Sequence, residues 1–236
     1  MNADLTTKGL QTRHHILSVA LNLFTTRGYE ATTMRDIAEA ADCSPGLTYR
    51  YFAHKEDLVM ALYDHLAQQS LAYAGTLPPG VIAEGFHALM QHKLTQMQPY
   101  RAAVAAMFGA LMRPEVGTSV WGQQSTSERD AMVEAFGLVM QRATDKLTEP
   151  LASSMTTLLY CFHLLLLLFW LYDRTPEQRA TGHMLDFMRE ALKLVRPMMI
   201  MPLIGKATIK LAHILALVFG GMIPRGEDHP EADKTP

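Results

Sequence analysis

The sequence predicts an all-α fold in two parts, a short N-terminal helical unit followed by a larger helical domain. Three observations predict it. Apolar residues recur at helical spacing along nearly the whole chain, with no competing run of period-two alternation. Prolines and glycines fall between those stretches, at Gly28, Pro45, Leu77-Pro78-Pro79-Gly80, Pro99, Pro114, Pro150, Pro197 and Pro202. The composition, 49% hydrophobic with 16 Met and only 15 Gly in 236 residues, suits adaptable helical packing and excludes a largely disordered chain.

The elements follow in order. A first helix is predicted over about 10–27, with Ile16, Leu17, Ala20, Leu23 and Phe24 on one face and Gly28 where left-handed backbone closes it. Thr33 is an N-cap for a short helix over 34–41, and Asp36 completes a capping-box pair. Asp42-Cys43-Ser44 makes a tight turn, and Pro45 occupies the first position of a third helix reaching Phe52. Ala53-His54 breaks it before a long helix over about 55–76. Further helices are predicted over about 81–97, 100–112, 127–147, 151–173, 176–195 and 203–221. Three units follow: 1–58, with the helix from about 55 as link, 59–224, and a disordered acidic tail over 225–236.

Two short helices joined by a three-residue turn have the dimensions of a helix-turn-helix unit. The second, from Pro45, is the candidate for a major groove. At about 100° per residue, Thr48 and Phe52 face inward while Gly46 and Arg50 point away, with Leu47 and Tyr49 on the flanks. Arg50 carries the paired donors that suit guanine, and Gly46 allows close backbone approach. Thr33, Arg35, Ser44, Pro45, Tyr49, Tyr51 and Lys55 complete the candidate DNA-binding set. The hydroxyls of Thr33 and Ser44, the N–H groups beginning the helix at Thr33, and the Lys55 charge suit phosphate oxygens.

The run from Thr12 to Leu58 resembles the DNA-binding domain of the TetR family of transcriptional regulators. The likeness covers about residues 10–65. It rests on Thr12-Arg13, Leu23-Phe24, Gly28-Tyr29, Thr32-Thr33, Asp36-Ile37-Ala38, Ser44, Gly46, Tyr49, Phe52 and Lys55. Two cysteines far apart in sequence fit a cytoplasmic location, and the resemblance implies a homodimer whose recognition helices enter successive major grooves of a palindromic operator. It also implies a C-terminal domain that binds a small-molecule effector and forms the dimer interface, usually in a repressor. Thr48 departs from the family's usual buried leucine, and an unpaired hydroxyl there carries a desolvation cost. Cys43 stands where valine is frequent.

In the C-terminal part, Met90, Met107, Phe108, Met112, Trp121, Phe136, Met140 and His163 are the candidate effector pocket, a lining suited to apolar or amphipathic ligands. The stretch from Leu158 to Tyr172 is apolar nearly all round and is expected to be buried on every side. With 176–195 it is the candidate homodimer seam, where a charge at Leu166 is expected to yield monomers. The helix over 203–221 is expected to cap either the dimer or the pocket.

Several classes are excluded or left without support. A net charge of −2, with six basic against seven acidic residues in the first 60, rules out a broad basic field for nucleic acid. Cys43 and Cys161 form no disulfide framework or zinc spacing, and His14-His15 and His87 with His92 lack ligand spacing, so neither metal nor cofactor is expected. The N-terminus lacks a signal-peptide pattern, the apolar stretch is borderline for a membrane span, and neither membrane nor secretion is expected. No GxSxG, HExxH, P-loop or GxGxxG pattern points to an enzyme. The alternative function is an apolar-ligand-binding or protein-interaction scaffold that does not read DNA.

Overall fold

A computed structural model describes residues 7–111 and 126–218, and the described residues form helices. They are α1 (Thr7–Thr26), α2 (Met34–Ala40), α3 (Pro45–Tyr51), α4 (Lys55–Ala74), α5 (Ile82–Met97), α6 (Arg101–Leu111), α7 (Thr126–Arg142), α8 (Leu151–Tyr172), α9 (Arg179–Met198) and α10 (Pro202–Val218). Single 3-10 turns precede α6 and α9. The expected tail over 225–236, together with Met112 and Trp121, lies outside the described residues.

Local chemistry accounts for the early boundaries. The α2 capping box forms as expected, with the Thr33 hydroxyl accepting from the Asp36 N–H and the Asp36 carboxylate accepting from the Thr33 N–H. Asp42 takes a positive φ of 51° after α2. The Cys43 and Asp42 N–H groups then bond back to the Ala38 and Glu39 carbonyls, which satisfies the last turn of the helix. The Ser44 hydroxyl caps α3, and Pro45 fills its first turn. Gly28 adopts φ +89°, and an added Cβ would meet nothing within 4 Å. Gly28→Ala is therefore expected to lower stability by about 1–2 kcal/mol through backbone strain alone, measured by denaturant unfolding; an unchanged midpoint would contradict it.

Two later expectations are corrected. The helix predicted over 127–147 stops at Arg142, because the following residues cap another element. The Thr144 N–H donates to the Gly80 carbonyl at 2.9 Å, and Asp145 Oδ1 accepts from the Ile82 N–H at 2.9 Å, so Asp145 supplies the N-terminal cap of α5. Pro197 does not break the chain but sits in the last turn of α9, where it forfeits one terminal N–H bond and the helix ends a residue later.

Two apolar clusters build the interior. One joins α1 to α4 and takes in Met97, Ala103, Val104, Leu167 and Trp170. The other joins the C-terminal half of α4 to α5, α7, α8, α9 and α10. The boundary expected at 58/59 thus falls inside α4, which contributes to both. At Gly85 an added Cβ would come within 2.7 Å of Val139 Cγ1, so glycine permits the close approach of α5 to α7. Arg101, at the start of α6, donates to the carbonyls of Trp170, Leu171 and Asp173 at the end of α8. The Asp173 carboxylate accepts from both the backbone N–H and the hydroxyl of Thr175 and of Thr181. Burial alone raises the Asp173 pKa, but these four donors outweigh it and hold the carboxyl below the usual range.

Candidate nucleic-acid interface and effector core

The outward surface of α3 is built by its inward one. Thr48 and Phe52 are buried, and the Arg13 guanidinium of α1 lies 4.8 Å from the Phe52 ring centroid. Burying Phe52 contributes about 1.5–3 kcal/mol. The Thr48 hydroxyl donates to the Ser44 carbonyl at 3.4 Å, so the cost anticipated for an unpaired group does not arise. Opposite them, Ser44, Pro45, Gly46, Tyr49 and Arg50 are exposed, while Leu47 and Tyr51 are half-buried. Arg50 makes no hydrogen bond or ion pair among the described residues. Its two parallel donors are available to an external acceptor.

The phosphate candidates divide. Ser44 accepts from the Leu47 N–H, and its own hydroxyl hydrogen remains available. Arg35 of α2 is exposed. Thr33 is otherwise engaged: its hydroxyl donates to Asp36 Oδ2 at 2.6 Å, and that carboxylate occupies the N-terminal turn of α2. Hydrogen bonds from the Thr33 hydroxyl and backbone hold the Asp36 pKa down, so the turn carries negative charge at neutral pH. The Thr33 hydroxyl and the N–H groups of Thr33 and Asp36 are thus engaged within the chain. Lys55 is also committed within the chain. Its ammonium donates to the Tyr29 carbonyl at 2.9 Å and lies 4.3 Å from the Tyr29 ring centroid, tying α4 to the loop after α1.

Residues 16–62 match the family described as bacterial regulatory proteins, tetR family. Over these residues the chain is similar to the TetR-family N-terminal domain. The HTH-type transcriptional repressor Rv3405c of Mycobacterium tuberculosis is 39% identical over 77 residues, 33% of this chain and 40% of its own length. The HTH-type transcriptional regulator HbdR of Aromatoleum sp. is 47% identical over 47 residues, 20% of each chain. The alignments thus span less than half the length of these curated relatives. A tetR-family transcriptional regulator from Streptomyces coelicolor superposes with a TM-score of 0.56 at 21% identity, covering 91% of this chain and 90% of its own. The lauroyl-CoA complex of Thermus thermophilus FadR gives 0.50 at 18% identity, covering 78% and 92%. The fold beyond the TetR-type domain is therefore shared as well.

Behind the TetR-type domain, Met90, Phe136, Met140 and His163 come together in the C-terminal core. Phe108 does not join them; it packs edge-on against Tyr63, 6.4 Å between centroids, beside the other cluster. Nothing is described for the Met107 side chain. Leu166 is fully buried within its own chain, which corrects its expected place in a subunit seam. The stretch 158–172 is likewise not buried all round: Leu165, Leu168 and Tyr172 form an exposed stripe. This helix is long and apolar enough to cross a membrane, yet most of its apolar window is buried against other helices, as in a core helix.

One polar feature of the core went unread in the sequence. Lys93 of α5 is fully buried and donates to Glu128 Oε1 of α7 at 3.2 Å, with the Tyr63 ring centroid 4.8 Å from its ammonium. Asp64 of α4 accepts from the Glu128 backbone N–H, and burial chiefly raises its pKa to about 6, with the Glu128 charge adding and the Arg13 charge opposing. Desolvation lowers the pKa of Lys93 and raises that of Glu128, each opposed by the charge of the other. His163 is held neutral by burial and then by the Lys93 charge. Among the described residues, no group of three or more His, Cys, Asp or Glu is arranged to hold a metal ion.

Proposed function

We propose that the protein is a homodimeric transcriptional regulator of the TetR type, a repressor that binds palindromic operator DNA and is released by a small apolar or amphipathic effector. The observation that carries the reading is the recognition helix, whose Arg50 is exposed and unpaired while Thr48 and Phe52 hold it from behind. Arg50 and Leu47 read bases, and Ser44, Tyr49, Tyr51 and Arg35 position the backbone. The relatives' names as transcriptional regulators and repressors support the same reading, which belongs to the cytoplasm and requires no catalytic chemistry. An electrophoretic mobility shift with DNA flanking the protein's own gene tests it. A palindromic site is expected to shift at low salt, and failure of every flanking fragment to bind would overturn the proposal.

The dimer is supported by apolar surface on two neighbouring helices. Leu165 is 58% exposed on α8, and Phe187 and Leu194 are 66% and 70% exposed on α9. Large apolar side chains exposed on two packed helices are what a subunit interface would cover. Leu165→Glu is therefore expected to yield folded monomers in sedimentation while leaving helix content unchanged. A persistent dimer would move the interface elsewhere. An effector site in the C-terminal domain is supported by the cluster of Met90, Phe136, Met140 and His163. The lauroyl-CoA bound to Thermus thermophilus FadR gives a precedent on the same fold for a large amphipathic ligand.

A further inference from the structure

Arg13 of α1 is half-buried, and its guanidinium carries five N–H donors. Among the described residues those donors make no hydrogen bond and no ion pair. The Phe52 ring, its centroid 4.8 Å away, offsets the charge but offers no oxygen to the N–H fork. Asp64, whose charge reaches Arg13, instead accepts from the Glu128 N–H. A guanidinium held this way is prepared for a carboxylate that the described residues do not supply.

Arg13 lines a groove between α1 and α4. Two cavities of about 680 and 410 Å³ lie along it, and His14, Leu17, Ser18 and His65 line both, so they are halves of one groove. Its α1 wall runs from Leu10 to Thr25, roughly 22 Å of helix. The half that holds Arg13 is the polar one, and the other is lined by Leu21, Leu62, Leu66 and Tyr100. No aspartate or glutamate lines either half. His14 makes no hydrogen bond among the described residues. The Gln69 amide nitrogen only donates, so His65 Nε2 accepts from it at 3.1 Å and the ring keeps its N–H at Nδ1. His15 is committed elsewhere, donating from Nε2 to the Ala41 carbonyl at 3.2 Å.

We infer that this groove binds an alkyl carboxylate, its head on Arg13 and His14 and its chain along Leu17, Leu62 and Leu66. The site is distinct from the C-terminal core proposed above for the effector. A carboxylate matches the guanidinium fork oxygen for N–H, and the His14 ring and Ser18 hydroxyl add donors. It meets no like charge, since neither half of the groove carries an acid. An alcohol of equal length accepts fewer bonds and leaves the guanidinium charge unpaired. The alkyl chain lies on apolar side chains that α1 and α4 already bring together, so it displaces water without opening the core. The head group then sits one contact from the recognition helix, because the same guanidinium backs Phe52, buried behind α3.

Histidine-ring NMR of the full chain, titrated with decanoate and with decanol, tests the inference. Decanoate is expected to move the His14 and His65 resonances, assigned with His14→Gln and His65→Gln. It is expected to bind roughly 10- to 150-fold tighter than decanol, the range set by hydrogen bonds to a charged group. Arg13→Gln is expected to abolish that preference. Ser18→Trp places a ring at the junction of the two halves from an exposed position. It is expected to keep the melting temperature and to abolish the shifts, so the test survives if Arg13→Gln does not fold. Decanoate binding no tighter than decanol, a preference unchanged in folded Arg13→Gln, or shifts that persist in Ser18→Trp would overturn the inference. Saturation with the His14 and His65 rings unmoved would also overturn it, by placing the carboxylate elsewhere on the chain.

Discussion

Glu128→Ala is expected to destabilise the fold by about 3–5 kcal/mol, the cost of leaving a buried charge unpaired, or roughly 6–20 °C in melting temperature for a chain of this size. Lys93 is fully buried, and its ammonium has the Glu128 carboxylate at 3.2 Å and the face of Tyr63 as its compensation. Without Glu128 the quadrupole of one ring is left to offset desolvation, and Lys93 is driven toward its neutral form. That outcome has a pH signature. The folded pKa of Lys93 is already depressed by burial, and removing Glu128 depresses it further. The unfolded chain then binds the proton over a range in which the folded chain does not. Stability of Glu128→Ala should therefore rise with pH, with the deficit shrinking as pH approaches the ordinary lysine value of about 10.4. The double variant Lys93→Met with Glu128→Leu removes both charges and keeps volume, so it is expected to cost less than Glu128→Ala alone. A single variant within about 1 kcal/mol of the wild type, the range of an exposed pair, would show that the two charges are solvated.

The contrast between this pair and the recognition helix shows which physics a sequence displays. Gly28, the Thr33–Asp36 box, Ser44 and Pro45 act within three or four residues of themselves, so their chemistry is local and legible. The inward turn of Thr48 and Phe52 also follows from helical period alone. Lys93 and Glu128 are 35 residues apart, and nothing in either neighbourhood marks the meeting. Asp145 was unreadable for the same reason, because the helix start that it caps lies 63 residues earlier. Leu166 failed differently. In a helix apolar all round, periodicity carries no phase, and one residue of rotation separates buried Leu166 from exposed Leu165. The Lys55 charge was visible, but its tie to the Tyr29 carbonyl requires the fold.

Arg50→Ala is the second large effect, and its signature is selectivity. The side chain is exposed and unpaired, so its removal leaves the packing of Thr48, Phe52 and Arg13 intact and should not move the unfolding midpoint. Operator affinity is expected to fall by about 1–3 kcal/mol for each guanine that it reads. A dimer reads two symmetric half-sites, so the loss appears at one position in each half. Operators altered at that base pair should then bind wild type and variant with nearly equal affinity, while operators altered elsewhere retain the full difference. Fluorescence anisotropy on a set of singly altered operators at fixed salt measures this, because the phosphate contribution changes steeply with ionic strength. With a net charge of −2 the protein has no broad field with which to compensate, so loss of one placed guanidinium is felt in full. An equal loss on matched and mismatched operators, together with a shallower salt dependence, would instead make Arg50 a phosphate contact and move base reading to Leu47 and Tyr49.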